Sequence, residues 1–152
     1  MFNEVLKLFN SMFEKPFKVA LISYYYPIDA PMDNGNAMHT YYLSRNLAEL
    51  GCEVHVFASG DKDRTIKERI GKGKLIIHSI KIPSDFNVES TVILERLRYI
   101  AFENKVLNKI LLENSRRKFN IIHTQCWVTS SAFILRHFND IKWIHTFHCL
   151  EK

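Results

Sequence analysis

Residues 17–24 read Phe-Lys-Val-Ala-Leu-Ile-Ser-Tyr, and this nearly continuous apolar run decides the fold. A short run of this kind is typical of a strand that is buried on both faces of a parallel sheet. Turn-forming residues follow at 27–36, and the stretch from Ala37 to Leu50 has leucines at helical spacing before the stop at Gly51. The sequence therefore begins an α/β protein with a strand–loop–helix unit.

The alternation of strands and helices continues along the chain. Further strands are predicted at 52–58, 74–82, 120–124 and 141–145, and further helices at 91–118 and 127–138. The polar segment 60–74 is expected to be a mobile loop. Core-facing residues expected in the two longest helices are Leu43, Leu47 and Leu50, then Ile93, Leu97, Ile100, Leu107 and Leu111. This order predicts a Rossmann-like, doubly wound, mostly parallel sheet with helices on both faces.

Composition indicates one globular domain. The chain has 152 residues, of which 47% are hydrophobic and 24% charged, so it can bury a core. Its three cysteines are too few and too unevenly placed for a disulfide framework, and no apolar run is long enough to span a bilayer. A cytoplasmic protein, or one that is peripheral to the membrane, is therefore expected. The net charge of +5 favours anionic partners without identifying them.

The first fifteen residues form a separate segment ahead of the domain at 16–152. Their apolar residues recur at helical spacing, with charged residues between them. Packing of an amphipathic helix against protein is the favoured interpretation, while an in-plane membrane anchor and a mobile tail remain open.

Three polar segments leave the carboxyl ends of predicted strands, where open parallel sheets bind ligands. They are 33–36, 123–127 and 145–149. The first leads into a helix start, where free N–H groups can hold an anion or the asparagine can simply cap the helix. The others carry histidines, which can donate hydrogen bonds to a sugar hydroxyl or a phosphate. Trp127 is either a core residue or a surface for a sugar.

Several classes of site are disfavoured. Neither the dinucleotide pattern G-x-G-x-x-G nor the P-loop lysine motif follows the first strand, which counts against a dehydrogenase or an NTPase. The zinc interpretation rests on His123, Cys126, His145, His148 and Cys149, whose spacing matches no recognised pattern. No metal and no cofactor are expected.

Taken together, three stretches resemble the N-terminal domain of family 4 glycosyltransferases. They are KVALISYYYP at 18–27 with NAMHTYYLSRNLAELGCEVHVFA at 36–58, then FNIIHTQCW at 119–127, and WIHTFHCLEK at 143–152. They are similar to the family's first strand, glycine turn and second strand, to its D-hydrophobic-H-x-H-x-W segment, and to its T-x-H segment. The resemblance implies the two-lobed glycosyltransferase B fold, and hexosyl transfer from a nucleotide diphosphate sugar to an acceptor hydroxyl with retained configuration.

The resemblance also implies roles for individual residues. Gly35 and Asn36 match the glycine turn that approaches the donor diphosphate, although the family usually has two glycines there. His123 and Gln125 match the H-x-H segment, with glutamine in place of the second histidine. His148 matches the histidine of T-x-H. The residues expected to line the acceptor site are Tyr25, Asp33 and Trp127.

The family's C-terminal domain, which binds most of the nucleotide sugar, has no counterpart in the 152 residues. The expectation is therefore an incomplete enzyme, inactive without a separate C-terminal partner, that acts on a carbohydrate or lipid-linked acceptor. Self-association through uncovered apolar surface and contact with a membrane surface are further expectations. A non-catalytic binding domain is the alternative. A nucleotide- or nucleic-acid-binding Rossmann-like protein is a more distant one, and no nucleic-acid partner is expected.

Overall fold

The computed structural model describes residues 15–28, 34–83, 90–126, 128 and 141–148. The elements in chain order are β1 (Lys18–Ile22), α1 (Gly35–Glu49), β2 (Glu53–Gly60), β3 (Arg64–Ile70), β4 (Gly73–Lys81), α2 (Thr91–Arg116), β5 (Ile121–Gln125) and β6 (Lys142–Thr146). The predicted N-terminal helix, and the predicted helix at 127–138 apart from Val128, lie outside the described residues.

The described strands form one sheet in the order β3-β4-β2-β1-β5-β6. Neighbouring strands are parallel everywhere except at the β3–β4 pair. Because β1 lies in the middle of the sheet, the chain first runs outward from β1 through β2 to β4. It then returns through α2 to the other side of β1, where β5 and β6 lie. This confirms the predicted doubly wound, mostly parallel sheet, and it brings the carboxyl ends of β1, β5 and β6 to one edge.

The prediction of a mobile loop over 60–74 is wrong, because this segment contains the edge strand β3. It pairs antiparallel with β4 through a tight turn at Gly71 and Lys72. Ile66 and Ile70 pack against the core on the α1 side of the sheet. Glu68 lies on the same face as these isoleucines and pairs with Arg45 of α1 at 3.0 Å. This charged residue on the covered face interrupts the alternation of apolar and polar residues by which a strand is recognised in sequence.

Two cores flank the sheet, one beneath each helix. All five residues of β1 are buried, which confirms the prediction of a strand covered on both faces. The α2-side core is built from Ala20, Ile22, Phe57, Phe102, Val106, Ile110, Phe119 and Ile122. The α1-side core is built from Val19, Leu21, Ala48, Val54, Val56, Leu75 and Ile77. Successive strand residues point to opposite faces, so each central strand contributes to both.

The predicted core faces of the helices need correction. In α1, small residues lie against the sheet, namely Ala37, Thr40, Ser44 and Ala48, while Leu43 and Leu47 are only partly buried and Leu50 is exposed. In α2, the buried apolar residues are Phe102, Val106 and Ile110, whereas Ile93, Ile100 and Leu111 are exposed. Counting all apolar residues misplaced the stripe, since both helices have them on more than one side. In the described part of the chain, no helix is long and apolar enough to cross a membrane.

Candidate functional site

The candidate site lies where the carboxyl ends of β1, β5 and β6 meet the first turn of α1. Sheet register places Ile22, Thr124 and His145 side by side near this edge. Polar side chains from the three strand ends and from α1 meet there. The sequence predicted this convergence for segments 123–127 and 145–149, which lie on neighbouring strands.

Gln125 is the centre of the cluster and has no exposed surface. Its Oε1 accepts a hydrogen bond from the Thr40 hydroxyl at 2.8 Å and lies 2.9 Å from His148 Nε2. His39 Nδ1 is more distant from the same oxygen, at 3.4 Å. The Gln125 amide nitrogen is buried and has no acceptor among the described residues. A buried amide with one side unsatisfied is costly, and a ligand oxygen could supply the missing partner.

Three imidazoles surround this glutamine. The His39 ring lies 4.8 Å from the His148 ring and 6.5 Å from the His123 ring, and both contacts are edge-on. His123 Nε2 is 2.7 Å from the Thr146 hydroxyl. Burial, helped by the neighbouring histidines, lowers the pKa of His123 to about 4. His123 is therefore neutral at pH 7 and can act as a hydrogen-bonding group but not as a cation.

The start of α1 forms the opposite wall of the site. Asn34 caps the helix, since its side chain accepts from the Ala37 N–H at 2.7 Å. No heavy atom of the described residues lies within 4 Å of the position that a Cβ at Gly35 would take, so they leave open space in front of it. The Asn36 side chain is held beside the strand ends, where its amide donates to Cys126 Sγ at 3.2 Å. The helix start is therefore accessible to an anion.

His145 does not join the cluster. It pairs in register with Thr124, and its Nδ1 lies 2.8 Å from the Thr124 hydroxyl, which also accepts from Trp143 Nε1 at 2.8 Å. Since neighbouring residues of a strand point to opposite faces, His145 is on the opposite face of the sheet from His123. The histidines of the zinc hypothesis thus lie on opposite faces of the sheet. In the described residues, no three suitable ligands are placed to hold a metal ion.

Tyr25 lies at the same edge of the sheet but on the side of α2. It is 40% exposed, and its hydroxyl accepts from the Tyr99 hydroxyl at 3.4 Å. Ser23 links the two regions, because its hydroxyl donates to the Tyr25 carbonyl and its oxygen lies 3.1 Å from the Thr40 hydroxyl. Tyr25 thus borders the cluster without contacting Gln125 directly. The predicted acceptor residues Asp33 and Trp127, together with Cys149, lie outside the described residues.

Sequence reasoning missed His39 and Thr40 as members of the site. Asn36, His39 and Thr40 are spaced three and four residues apart, so they share one side of the first turn of α1. A polar patch at this spacing, directly after a predicted ligand-binding turn, is the signal that could have identified them.

Comparison with known proteins shows the family and supports the fold. A family model described as Glycosyltransferase Family 4 matches residues 34–152. A structure of sucrose-phosphate synthase from Thermosynechococcus elongatus superposes with a TM-score of 0.66 at 19% identity, over 88% of this chain and 33% of that one. A second structure of that enzyme gives 0.56 at 18% identity, over 87% and 64%. This chain thus spans about a third of the first of these structures. No curated protein sequence matches it.

Proposed function

The chain belongs to glycosyltransferase family 4, and on that premise we propose that it is the N-terminal, acceptor-side domain of a retaining enzyme that uses a nucleotide diphosphate sugar. The reaction moves a hexosyl group to an acceptor hydroxyl. The observation that carries the proposal is Gln125, a buried amide held by α1 and by the segment after β6, with its nitrogen lacking an acceptor among the described residues. It stands beside an accessible helix start, as a site for a sugar linked to a phosphate requires.

The start of α1 is assigned to the donor diphosphate. Backbone N–H groups at a helix start point outward, and the helix dipole adds partial positive charge there. The open space in front of Gly35 allows phosphate oxygens to approach the backbone. As the glycosidic bond to the phosphate breaks, negative charge develops on the leaving diphosphate. A fixed positive helix end stabilises that charge without reorganising, so it favours the transition state.

His123, Gln125 and His148 are assigned to the transferred sugar. The amide hydrogens of Gln125 suit a sugar oxygen, while a neutral imidazole offers one donor and one acceptor to vicinal hydroxyls. Burial lowers the pKa of His148 as well as that of His123. Hydrogen bonding rather than charge is therefore the proposed role of these residues, with the leaving-group charge handled at α1 and by a second domain.

Activity in this proposal requires the second domain of the fold, which binds most of the nucleotide sugar across the cleft. Tyr25, Asp33 and Trp127 are proposed to contact a carbohydrate or lipid-linked acceptor on the N-terminal side. The second candidate function is a binding domain without catalysis. It is favoured by Gln125 itself, since this residue replaces the second histidine of the family's H-x-H pattern.

Thermal unfolding in the presence of UDP- and GDP-sugars tests the proposal, with the chain alone and mixed with the polypeptide encoded immediately downstream. A midpoint that rises with one of these ligands when the downstream polypeptide is present supports the transferase. Sugar transfer to an acceptor by the mixture would establish it. A folded mixture that binds sugar nucleotide without turnover supports the binding domain, and the absence of any shift from a folded mixture refutes the donor site.

Gly35→Leu is the sharpest variant for this test. The added Cβ has no heavy atom of the described residues within 4 Å and stands at the first turn of α1, so the substitution should leave the unfolding midpoint of the free protein nearly unchanged. It should nevertheless remove the ligand-induced shift by occupying the proposed diphosphate position. Lys62→Leu, at an exposed position before β3, is the control and should keep the shift.

A further inference from the structure

A second concave region lies on the α2 side of the sheet, toward the amino ends of the parallel strands. Its floor is formed by β2, β3 and β4 and its wall by the C-terminal half of α2, and it encloses about 660 Å³. We call it the basic groove, and its defining residues are His55, Lys67, Arg69, Lys74, His78 and Lys109. Because β2 and β4 begin here, it lies at the opposite end of these strands from their carboxyl ends, which point toward the edge with the Gln125 cluster.

The carboxylates around the groove are already engaged. Glu53 forms an ion pair with Arg117 at 3.0 Å, and Glu113 accepts a hydrogen bond from Arg116 at 2.9 Å. Glu68 belongs to the opposite face, where it pairs with Arg45. These ion pairs leave no carboxylate for the remaining cations of the groove.

Lys18 also lines the groove, where its buried ammonium donates to the backbone carbonyls of Glu113 and Arg117. Four further cations line the groove without an anionic partner among the described residues, and they are Lys67, Arg69, Lys74 and Lys109. The register makes their arrangement unfavourable, because Arg69 lies directly opposite Lys74 in the β3–β4 pair. Like charges at opposed positions destabilise a sheet, whereas oppositely charged pairs stabilise it. An anion bound between them would relieve this repulsion.

Two hydrogen-bonded histidines form the middle of the floor of the groove. His55 Nε2 lies 3.1 Å from Glu53 Oε1, and His55 Nδ1 lies 3.0 Å from His78 Nε2. Since a carboxylate only accepts, His55 carries its proton on Nε2 and accepts from the Nε2–H of His78. Thr65 then lies 3.4 Å from the remaining His78 nitrogen, where its hydroxyl can donate. An imidazole supplies no negative charge, so the two histidines do not compensate the four cations.

Lys67 and Lys109 face each other across this floor. Both are close enough to His78 to contribute to the lowering of its pKa, which burial brings to about 3. Lys67 comes from the edge strand β3 and Lys109 from α2, so a ligand between them would contact both the sheet and the helix. A volume of several hundred cubic ångströms suits a small molecule. A phosphate group offers two charges and several acceptor oxygens to such a set, where a carboxylate offers one charge.

We propose that the basic groove is a second binding site, which takes a small phosphate-bearing anion held by Lys67, Arg69 and Lys109. This site is independent of the proposed transferase function, since it shares no residue with the cluster around Gln125.

The test is a calorimetric titration of the full chain with inorganic pyrophosphate at low salt. Lys67→Gln combined with Lys109→Gln should weaken binding by at least about tenfold. Lys62→Gln combined with Lys72→Gln removes the same charge from exposed positions outside the groove and should leave the affinity unchanged. Gly35→Leu, which occupies the proposed diphosphate position at the start of α1, should also leave it unchanged, which separates this site from the candidate donor site. The groove variant should unfold at the parent's temperature or higher, because it removes repelling charges.

Binding that both double variants weaken equally would show only diffuse attraction and would overturn the proposal, as would no measurable binding. Loss of binding in Gly35→Leu would move the anion to the start of α1 and would also overturn it. Vesicles of phosphatidylcholine with phosphatidic acid identify the natural source of the phosphate. If they displace pyrophosphate, the ligand is a lipid headgroup, and if they do not, it is a soluble phosphate ester. Tighter competition by a single-stranded oligonucleotide than by either would instead indicate a nucleic-acid surface and refute the small-ligand site.

Discussion

Replacement of His78 by phenylalanine should change how the stability of the protein depends on pH. His78 is 2% exposed and stacks on Phe57 at 4.6 Å, so a phenyl ring fits in its place. Burial lowers the pKa of its imidazole from 6.5 to about 3, with smaller contributions from His55 and nearby lysines. The folded protein therefore holds His78 neutral at pH values where the unfolded chain protonates it.

The sign and size follow from proton linkage. The unfolded state binds more protons below pH 6.5, so the stabilisation is fully present above that pH and is lost as the pH falls toward 3. Between pH 7 and pH 5, His78 alone should lower the free energy of unfolding by about 2 kcal/mol. Each pH unit below the pKa of the unfolded state lowers it by about 1.4 kcal/mol. His55 and His123, whose pKa values are also lowered, add losses of the same sign.

The assay is urea unfolding at several pH values from 5 to 7. His78→Phe loses its hydrogen bond to His55 and should be less stable at pH 7, but the gap to the parent should narrow by about 2 kcal/mol at pH 5. Phe102→Leu is the control, since it removes buried surface beside Tyr24 in the same core without a titratable group and should lower the free energy of unfolding equally at both pH values. A gap that stays constant for His78→Phe would refute the assignment of a buried neutral imidazole.

Two further variants probe packing. Gly73→Ala should destabilise the protein by more than about 2 kcal/mol in thermal or urea unfolding, because the new Cβ would lie 2.3 Å from the carbonyl oxygens of Ala48 and Cys52. Gly35→Ala should change stability by less than about 0.5 kcal/mol, because no heavy atom of the described residues lies within 4 Å of the new Cβ. An equal effect of the two substitutions would contradict this packing. Phe102→Ala should cost about 3–5 kcal/mol in the same measurement, since Phe102 is fully buried in the α2-side core, and a cost under about 1 kcal/mol would place it outside that core.

The central part of the fold could be predicted from sequence because its signals are local. The apolar run at 17–24 needs no partner to be recognised as a doubly buried strand, and the stop at Gly51 marks the end of α1 through its positive φ of 99°. The edge strand β3 gave no such signal. Its covered face includes Glu68, whose partner Arg45 lies 23 positions earlier in the chain. Only contact between α1 and the sheet makes that charge compatible with a strand.

The candidate site shows the same division. Sequence reasoning located the strand ends that carry His123, Gln125 and His148, because ligands of open parallel sheets bind beyond those ends. It could not place His39 and Thr40 beside Gln125, since 85 positions separate Thr40 from it. Nor could it predict that His145 and His123 lie on opposite faces of the sheet, because their positions depend on which face of each strand is turned toward α1.

The sequence by itself determined the order of the central elements, the edge of the sheet where a ligand is proposed to bind, and the family resemblance. These depend on the period of apolar residues and on short motifs, which are properties of neighbouring positions. The tertiary structure alone decided which polar groups meet there. It also decided that Gln125 keeps a buried nitrogen without an acceptor in the described residues, and that four cations share a groove with no free carboxylate there. These depend on contacts between distant segments, where burial sets the free energy of each polar group.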